Sequence, residues 1–334
     1  MNEEKSQTAV LDSFLGSLKL GEASVFQNLT VYPVFSDISQ GNGFVMLDDA
    51  IRTGKLDVTE VSDSGSVPEL KVKNMLDSDV LVLDGEELVG AKQNRIVNTT
   101  IIIGKLKEVV IPVSCVEHGR WRYRGKKFST SKSSLYANLR MKKAKMVSEN
   151  LKMRASYASN QSGIWDEIDK KRASFRVDSE TGAMTDIYEK FDKELDSYVE
   201  GYSAREGQVG FVTLIDGRVV GCDIFCSPPV LAKACRKLLR GYALDAVEQL
   251  RCGDGKNKKK QAQPEDMPLM AGEFIRRISE AKREAFKSVG EGQDVRFESK
   301  GLSGFALVAG DKVVHMAAFE ENESGSRSQP GDKD

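Results

Sequence analysis

A chain of 334 residues with 40% hydrophobic content is long enough for one large or two ordinary domains and can supply a sizeable buried core. Its 50 acidic and 49 basic residues nearly cancel, so bulk charge points neither to nucleic acid nor to a membrane surface. Two histidines and five cysteines with no paired C-x-x-C exclude a His-rich metal site and a disulfide framework; histidine acid/base chemistry has only His118 and His315 to draw on.

The first ten residues are polar and read as a flexible N-terminus, with acid where a secretory signal carries base. No apolar run approaches the roughly 18 residues of a membrane span, so the chain reads as cytoplasmic with no membrane partner. Leu11, Phe14, Leu15 and Leu18 then give a short amphipathic turn. From Val25 to about Tyr123 the texture is strand-like, with one short helix near Leu47 to Arg52 that Gly54 ends.

Asp84-Gly85 between two apolar runs predicts a two-residue hairpin, and Asp216-Gly217 and Gly310-Asp311 predict two more. Between them four stretches carry apolar residues three or four apart: Leu135 to Leu151, Met184 to Leu195, Leu231 to Tyr242 and Phe274 to Ala281. Ser227 as N-cap and Pro228 at the first helical position fix the start of the third. Without regular βαβ alternation this is an α+β chain, a β-rich N-terminal half with inserted amphipathic helices and returning β-hairpins. A main domain is expected over 11–250 and a basic linker containing Lys256 and Lys258 to Lys260 over 251–268. A helix plus hairpin at 269–320 stands apart or completes the main domain, and 321–334 reads as a disordered tail.

Two polar blocks stand out: Gly85-Glu86-Glu87-Leu88-Val89-Gly90-Ala91-Lys92-Gln93-Asn94-Arg95-Ile96-Val97-Asn98, and Pro112-Val113-Ser114-Cys115-Val116-Glu117-His118-Gly119-Arg120-Trp121. A hairpin at Asp84-Gly85 would set Leu83 opposite Glu86 and Val82 opposite Glu87, so the two glutamates leave opposite faces among aliphatic neighbours. A carboxylate so placed has a raised pKa unless a cation pairs with it, and either state suits acid/base work. If Lys92 to Asn98 is extended, Lys92, Asn94 and Asn98 share one face while Gln93 and Arg95 share the other. Arg and Lys suit phosphate; Asn and Gln suit a ribose or base edge; Trp121 suits a planar ring. A structural alternative pairs Glu86 and Glu87 with Lys92 and Arg95. Cys115 reads as a buried core thiol rather than a nucleophile, Trp121 and Trp165 as either core aromatics or stacking platforms, and His315 as a hairpin residue with a satisfied ring.

Both blocks resemble those of the ARG and rhodanese-phosphatase-superfamily-associated protein domain family, and Gln161 with Trp165 resembles that family's later Q-x-x-x-W feature. The resemblance spans about residues 15 to 250. The family takes its name from genomic company with ADP-ribosylglycohydrolases, rhodanese domains and phosphatases, and so implies a setting, prokaryotic stress or defence, rather than a reaction.

Arg120 to Arg154 adds twelve Lys or Arg against the single acid Glu149, with aromatic residues interleaved. Part of this is the solvated face of a helix, and the remainder can attract a pyrophosphate or an RNA backbone. The leading expectation is a nucleotide-directed enzyme hydrolysing a glycosidic or phosphoester bond of an ADP-ribose or NAD-type small molecule. Glu86, Glu87 and Glu117 are its candidate catalytic residues; Lys92, Gln93, Asn94, Arg95, Asn98, Arg120, Trp121, Gln161 and Trp165 are its candidate ligand contacts. No side-chain metal site is expected, though a water-mediated Mg2+ is compatible with this chemistry. A non-catalytic nucleotide sensor or scaffold is the alternative, and RNA binding a weaker one.

Overall fold

The computed structural model describes residues 2–38, 43–62, 66, 68–252 and 263–321, with residues 2–6 and 252 as backbone only. In chain order, helix α1 (Asn2–Gly16) leads to strands β1 (Leu18–Leu20), β2 (Ser24–Phe26), β3 (Leu29–Ser36) and β4 (Phe44–Met46). After helix α2 (Leu47–Arg52) come β5 (Leu56–Glu60), β6 (Glu69–Asn74), β7 (Asp79–Val82), β8 (Glu86–Gly90), β9 (Arg95–Val97), β10 (Ile101–Ile103), β11 (Glu108–Cys115) and β12 (Phe128–Ser134). Four helices follow, α3 (Ala137–Arg154), α4 (Gln161–Phe175), α5 (Met184–Lys190) and α6 (Asp192–Glu200), then β13 (Gln208–Ile215) and β14 (Arg218–Phe225). The chain closes with α7 (Pro228–Cys252), α8 (Met267–Glu280), β15 (Lys282–Lys287), β16 (Gln293–Ser299), β17 (Leu302–Ala309) and β18 (Lys312–Glu320). The run Lys256 to Lys260 and the tail from residue 322 lie outside the described residues.

These strands form three sheets. The largest is antiparallel, in the order β1-β3-β13-β14-β18-β17-β16-β15, with β2 also on β3. The C-terminal helix and strands therefore complete the main sheet rather than stand apart. Helices α1 and α8 cover one face, where Leu11, Phe14, Phe274 and Ile278 pack on Val212, Ile224 and Met316. The other face meets α7 through Leu231, Leu238 and Tyr242, packed with Phe211, Phe225 and Val314. Burial on both faces explains why β13, apolar apart from Gln208 and Thr213, does not alternate. Asp216 and Gly217 both have positive φ, 50° and 73°, as a type I′ hairpin turn requires. The Ser227 carbonyl accepts the Leu231 N–H at 3.2 Å, so α7 begins where the sequence places it. The first helix is longer than the Leu11 to Leu18 spacing suggests, and Leu18 itself begins β1.

One expected hairpin is not formed. β7 pairs with β10 and β4 in a three-stranded sheet, whereas β8 belongs to a six-stranded sheet of order β12-β8-β9-β11-β6-β5. The tight turn survives, with Gly85 at φ 76° and the Glu86 N–H donating to the Leu83 carbonyl at 3.2 Å. But Val82 lies opposite Ile101, and Glu87 opposite Ile96. The cause is Asp84, which is 1% exposed and held by Arg140 and Lys143 of α3. A carboxylate gripped by two buried cations cannot sit at a solvated hairpin tip, so the turn becomes a crossing between sheets.

Candidate functional site

The six-stranded sheet curls until its edge strands touch at a bridge between Thr59 and Lys127. Its concave side is an aliphatic core of Leu56, Val58, Leu70, Val72, Leu88, Val97, Ile111 and Val113. Near one end this gives way to polar residues. Arg95 lies opposite Cys115 on β11 and Leu88 on β8. Glu60 ends β5, where the alternation Leu56, Val58, Glu60 turns its side chain to the buried face. The β8–β9 connection, residues 91–94, is a bend with Ala91 at φ 36° rather than extended chain. That bend breaks the expected alternation, so Lys92 and Arg95 meet instead of parting: Lys92 Nζ is 5.3 Å and the Arg95 guanidinium 5.8 Å from the centre of the Trp121 ring.

Arg95 is fully buried, and among the described residues its guanidinium makes one hydrogen bond, from Nη1 to Gln93 Oε1 at 2.9 Å. Among the described residues Nε and Nη2 have no partner, nor does the buried Oε2 of Glu60, whose Oε1 receives the Lys92 N–H at 3.4 Å. Such groups are costly to leave unmade, and native interiors contain few of them. Trp121 and Tyr123, 49% and 48% exposed, stand above, and Lys92 lies within 5.1 Å of the Tyr123 ring centre. Half-exposed rings on a buried cation leave aromatic surface open to a ligand.

Glu117 and Arg120 hold this end together. The guanidinium is bidentate on the carboxylate, Nε to Oε1 at 2.8 Å and Nη2 to Oε2 at 2.6 Å, with both side chains 1% exposed. It also donates to the carbonyls of Ala91 and Arg122, fixing the bend to the loop after β11. Burial alone would raise the Glu117 carboxyl, but Arg120, the Asn94 N–H and the Thr181 hydroxyl bring it below the ordinary range. It is an ionised anchor with every strong acceptor position filled.

The other named side chains have different partners. Glu86 bonds Lys237 of α7 at 3.0 Å, and burial raises its pKa against that cation. Neither Glu86 nor Glu87 makes an ion pair with Lys92 or Arg95 among those found, so the structural alternative takes another form. Glu87 is fully buried and accepts from Thr185 at 2.7 Å, while its Oε2 has no well-formed hydrogen bond. Burial lifts its carboxyl to about 7, with the hydroxyls of Thr185 and Ser131 pulling the other way. Asn94 bridges Thr185 and Arg120. Asn98 accepts from Ser114 at 2.6 Å and donates to the Tyr157 carbonyl, and Gln161 pairs with both backbone groups of Cys115 at 2.8 Å. Trp165 meets His118 edge-on, ring centres 5.0 Å apart. Burial pushes the Cys115 thiol up to about 11, as befits a core cysteine.

The profile of the ARG and Rhodanese-Phosphatase-superfamily-associated Protein domain matches residues 17–319. The chain belongs to this family. The match runs beyond the polar blocks through β15 to β18, so this family domain includes the C-terminal strands that the motifs alone did not reach. No curated protein and no solved structure matches the chain. Among the described residues no helix is long and apolar enough to cross a membrane, and no three His, Cys, Asp or Glu gather as metal ligands.

Two features of the family domain were missed in the sequence. Glu60 lies outside both blocks, though its place in a period-two strand marks it as a buried acid. The second is a buried network: Arg140 is bidentate on Asp223 at 2.9 and 2.7 Å, and Asp223 also meets Tyr242 and His315. Its members come from Asp84, α3, β14, α7 and β18, a set no local pattern assembles. His315 has both ring nitrogens occupied, by Thr100 and Asp223, as expected of a satisfied hairpin residue.

Proposed function

We propose that the polar end of the six-stranded sheet is a binding site for a nucleotide of the ADP-ribose or NAD type. The observation that carries this is Arg95, a fully buried guanidinium beneath the half-exposed Trp121 ring, with Nε and Nη2 unpartnered among the described residues. That edge of a guanidinium is the fork that grips a phosphate through two parallel hydrogen bonds. Trp121 and Tyr123 suit the base, and the free Oε2 of Glu60 suits a ribose hydroxyl or base amino group.

Binding is favoured over turnover because Glu117 is committed to Arg120 and Glu86 to Lys237. A hydrolase remains as a second reading on one observation, the Glu87 carboxyl lifted to about 7 with an unpartnered oxygen, a poise suited to proton transfer. On the β8–β9 ladder, however, Glu87 lies opposite Ile96 and Arg95 opposite Leu88, so the two project to opposite faces.

Calorimetric titration with ADP-ribose, NAD and ADP tests the proposal. Binding that Arg95→Met abolishes supports it, and failure of all three ligands to bind refutes it. Product analysis of wild type and Glu87→Gln then separates the readings: turnover lost in the variant with affinity kept makes the protein an enzyme.

A further inference from the structure

The loop over Arg95, residues 118–127, contains five basic residues and no acidic one. Only Arg120 is turned inward. The loop is fixed at three points: the Arg120 hydrogen bonds, the Arg124 N–H on the Ala91 carbonyl at 3.0 Å, and the Lys127 bridge to Thr59. Lys127 pairs with Asp57 at 2.6 Å. Arg122, Arg124 and Lys126 are exposed and alternate with the half-exposed Trp121 and Tyr123.

A solvated charge run needs no rings, and a stacking pair needs no cations. Both together, held on a pinned loop, match the repeat of a single strand, in which phosphates and base faces come in turn. A mononucleotide would satisfy Arg95 and one ring; a second ring and three more cations suit a longer ligand. Arg95 supplies the independent sign, since a buried unpartnered cation at the end of the track suits a terminal phosphate.

We propose that this surface takes a single-stranded nucleic acid, its terminal phosphate at Arg95 and the next nucleotides tracking over Trp121, Tyr123, Arg122, Arg124 and Lys126. This rests on the nucleotide reading above. The test measures anisotropy of a labelled 5′-phosphorylated RNA of about ten nucleotides, a length within single-strand site sizes, beside calorimetry with ADP. It compares wild type, Arg95→Met and the triple variant Arg122→Ser/Arg124→Ser/Lys126→Ser.

RNA is expected to bind roughly tenfold or more tighter than ADP, given what each added stacked base contributes. The triple variant should flatten the salt slope by about 2, near 0.7 for each lost phosphate contact, and leave ADP affinity unchanged. RNA binding no tighter than ADP, or an unaltered salt slope, overturns the extension and leaves the nucleotide site standing. RNA that binds equally well without its 5′-phosphate overturns the placement at Arg95. If RNA does not bind and ADP, ADP-ribose and NAD all fail as well, both readings fall.

Discussion

Replacing Arg95 by methionine should make the unliganded protein more stable. The guanidinium is fully buried, pairs with no carboxylate among the described residues, and leaves Nε and Nη2 without partners. Substituting apolar side chains of similar volume for buried charges commonly stabilises by about 1–4 kcal/mol. Unfolding entropy near 2.1 cal/mol/K per residue amounts to about 0.7 kcal/mol/K for this chain, so Tm should rise by about 1.5–6 °C. The same variant should lose the ligand-induced rise, which at 100 times Kd is worth about 2.7 kcal/mol, or about 4 °C here. Scanning fluorimetry of both proteins, with and without ADP-ribose, reads the two effects in one experiment. A fall in Tm for unliganded Arg95→Met would mean that the interior already satisfies the cation, and the case for a ligand would go with it.

Three further outcomes are expected. Glu117→Gln should cost about 3–5 kcal/mol in urea unfolding, because it leaves Arg120 buried without its anion; a normally stable variant lacking only activity would make Glu117 catalytic instead. Lys237→Met should cost a similar amount, about 3–5 kcal/mol, by stranding Glu86, and adding Glu86→Gln should return most of it. Glu87 titrates higher in the folded state, about 7, than in the unfolded chain, so the folded form holds the extra proton between the two values. Stability should therefore fall as pH rises from about 4.5 to 7, by up to about 3 kcal/mol, and stay at the lower level above. Glu87→Gln should remove that slope, measured as ΔG from urea melts across this range.

Local chemistry was legible in the sequence wherever one element decided the outcome. Asp216-Gly217 made its hairpin because β13 and β14 pair directly across that turn, and Ser227-Pro228 opened its helix for reasons confined to one turn. Asp84-Gly85 carries the same signal and gave a different result, since its carboxylate is claimed by cations some sixty residues onward. The same limit governed the site. That the 92–95 segment had to meet something polar followed from four polar residues in an apolar context, but which of them met depended on the bend at Ala91. Glu60 and the Asp223 network are products of sheet order, which no window of sequence contains.

The position of β18 bears on how the protein is made. It lies between β14 and β17 in the nine-stranded sheet, yet it is the last of the described strands to leave the ribosome. Until then two apolar strands remain as open edges, and Asp223 lacks its contact from His315. The sheet cannot close cotranslationally from its N-terminal end, so a nascent chain stalled before residue 312 displays two edges able to recruit strands from other chains. Emergence of β18, rather than of any earlier described strand, is then the step that closes this sheet.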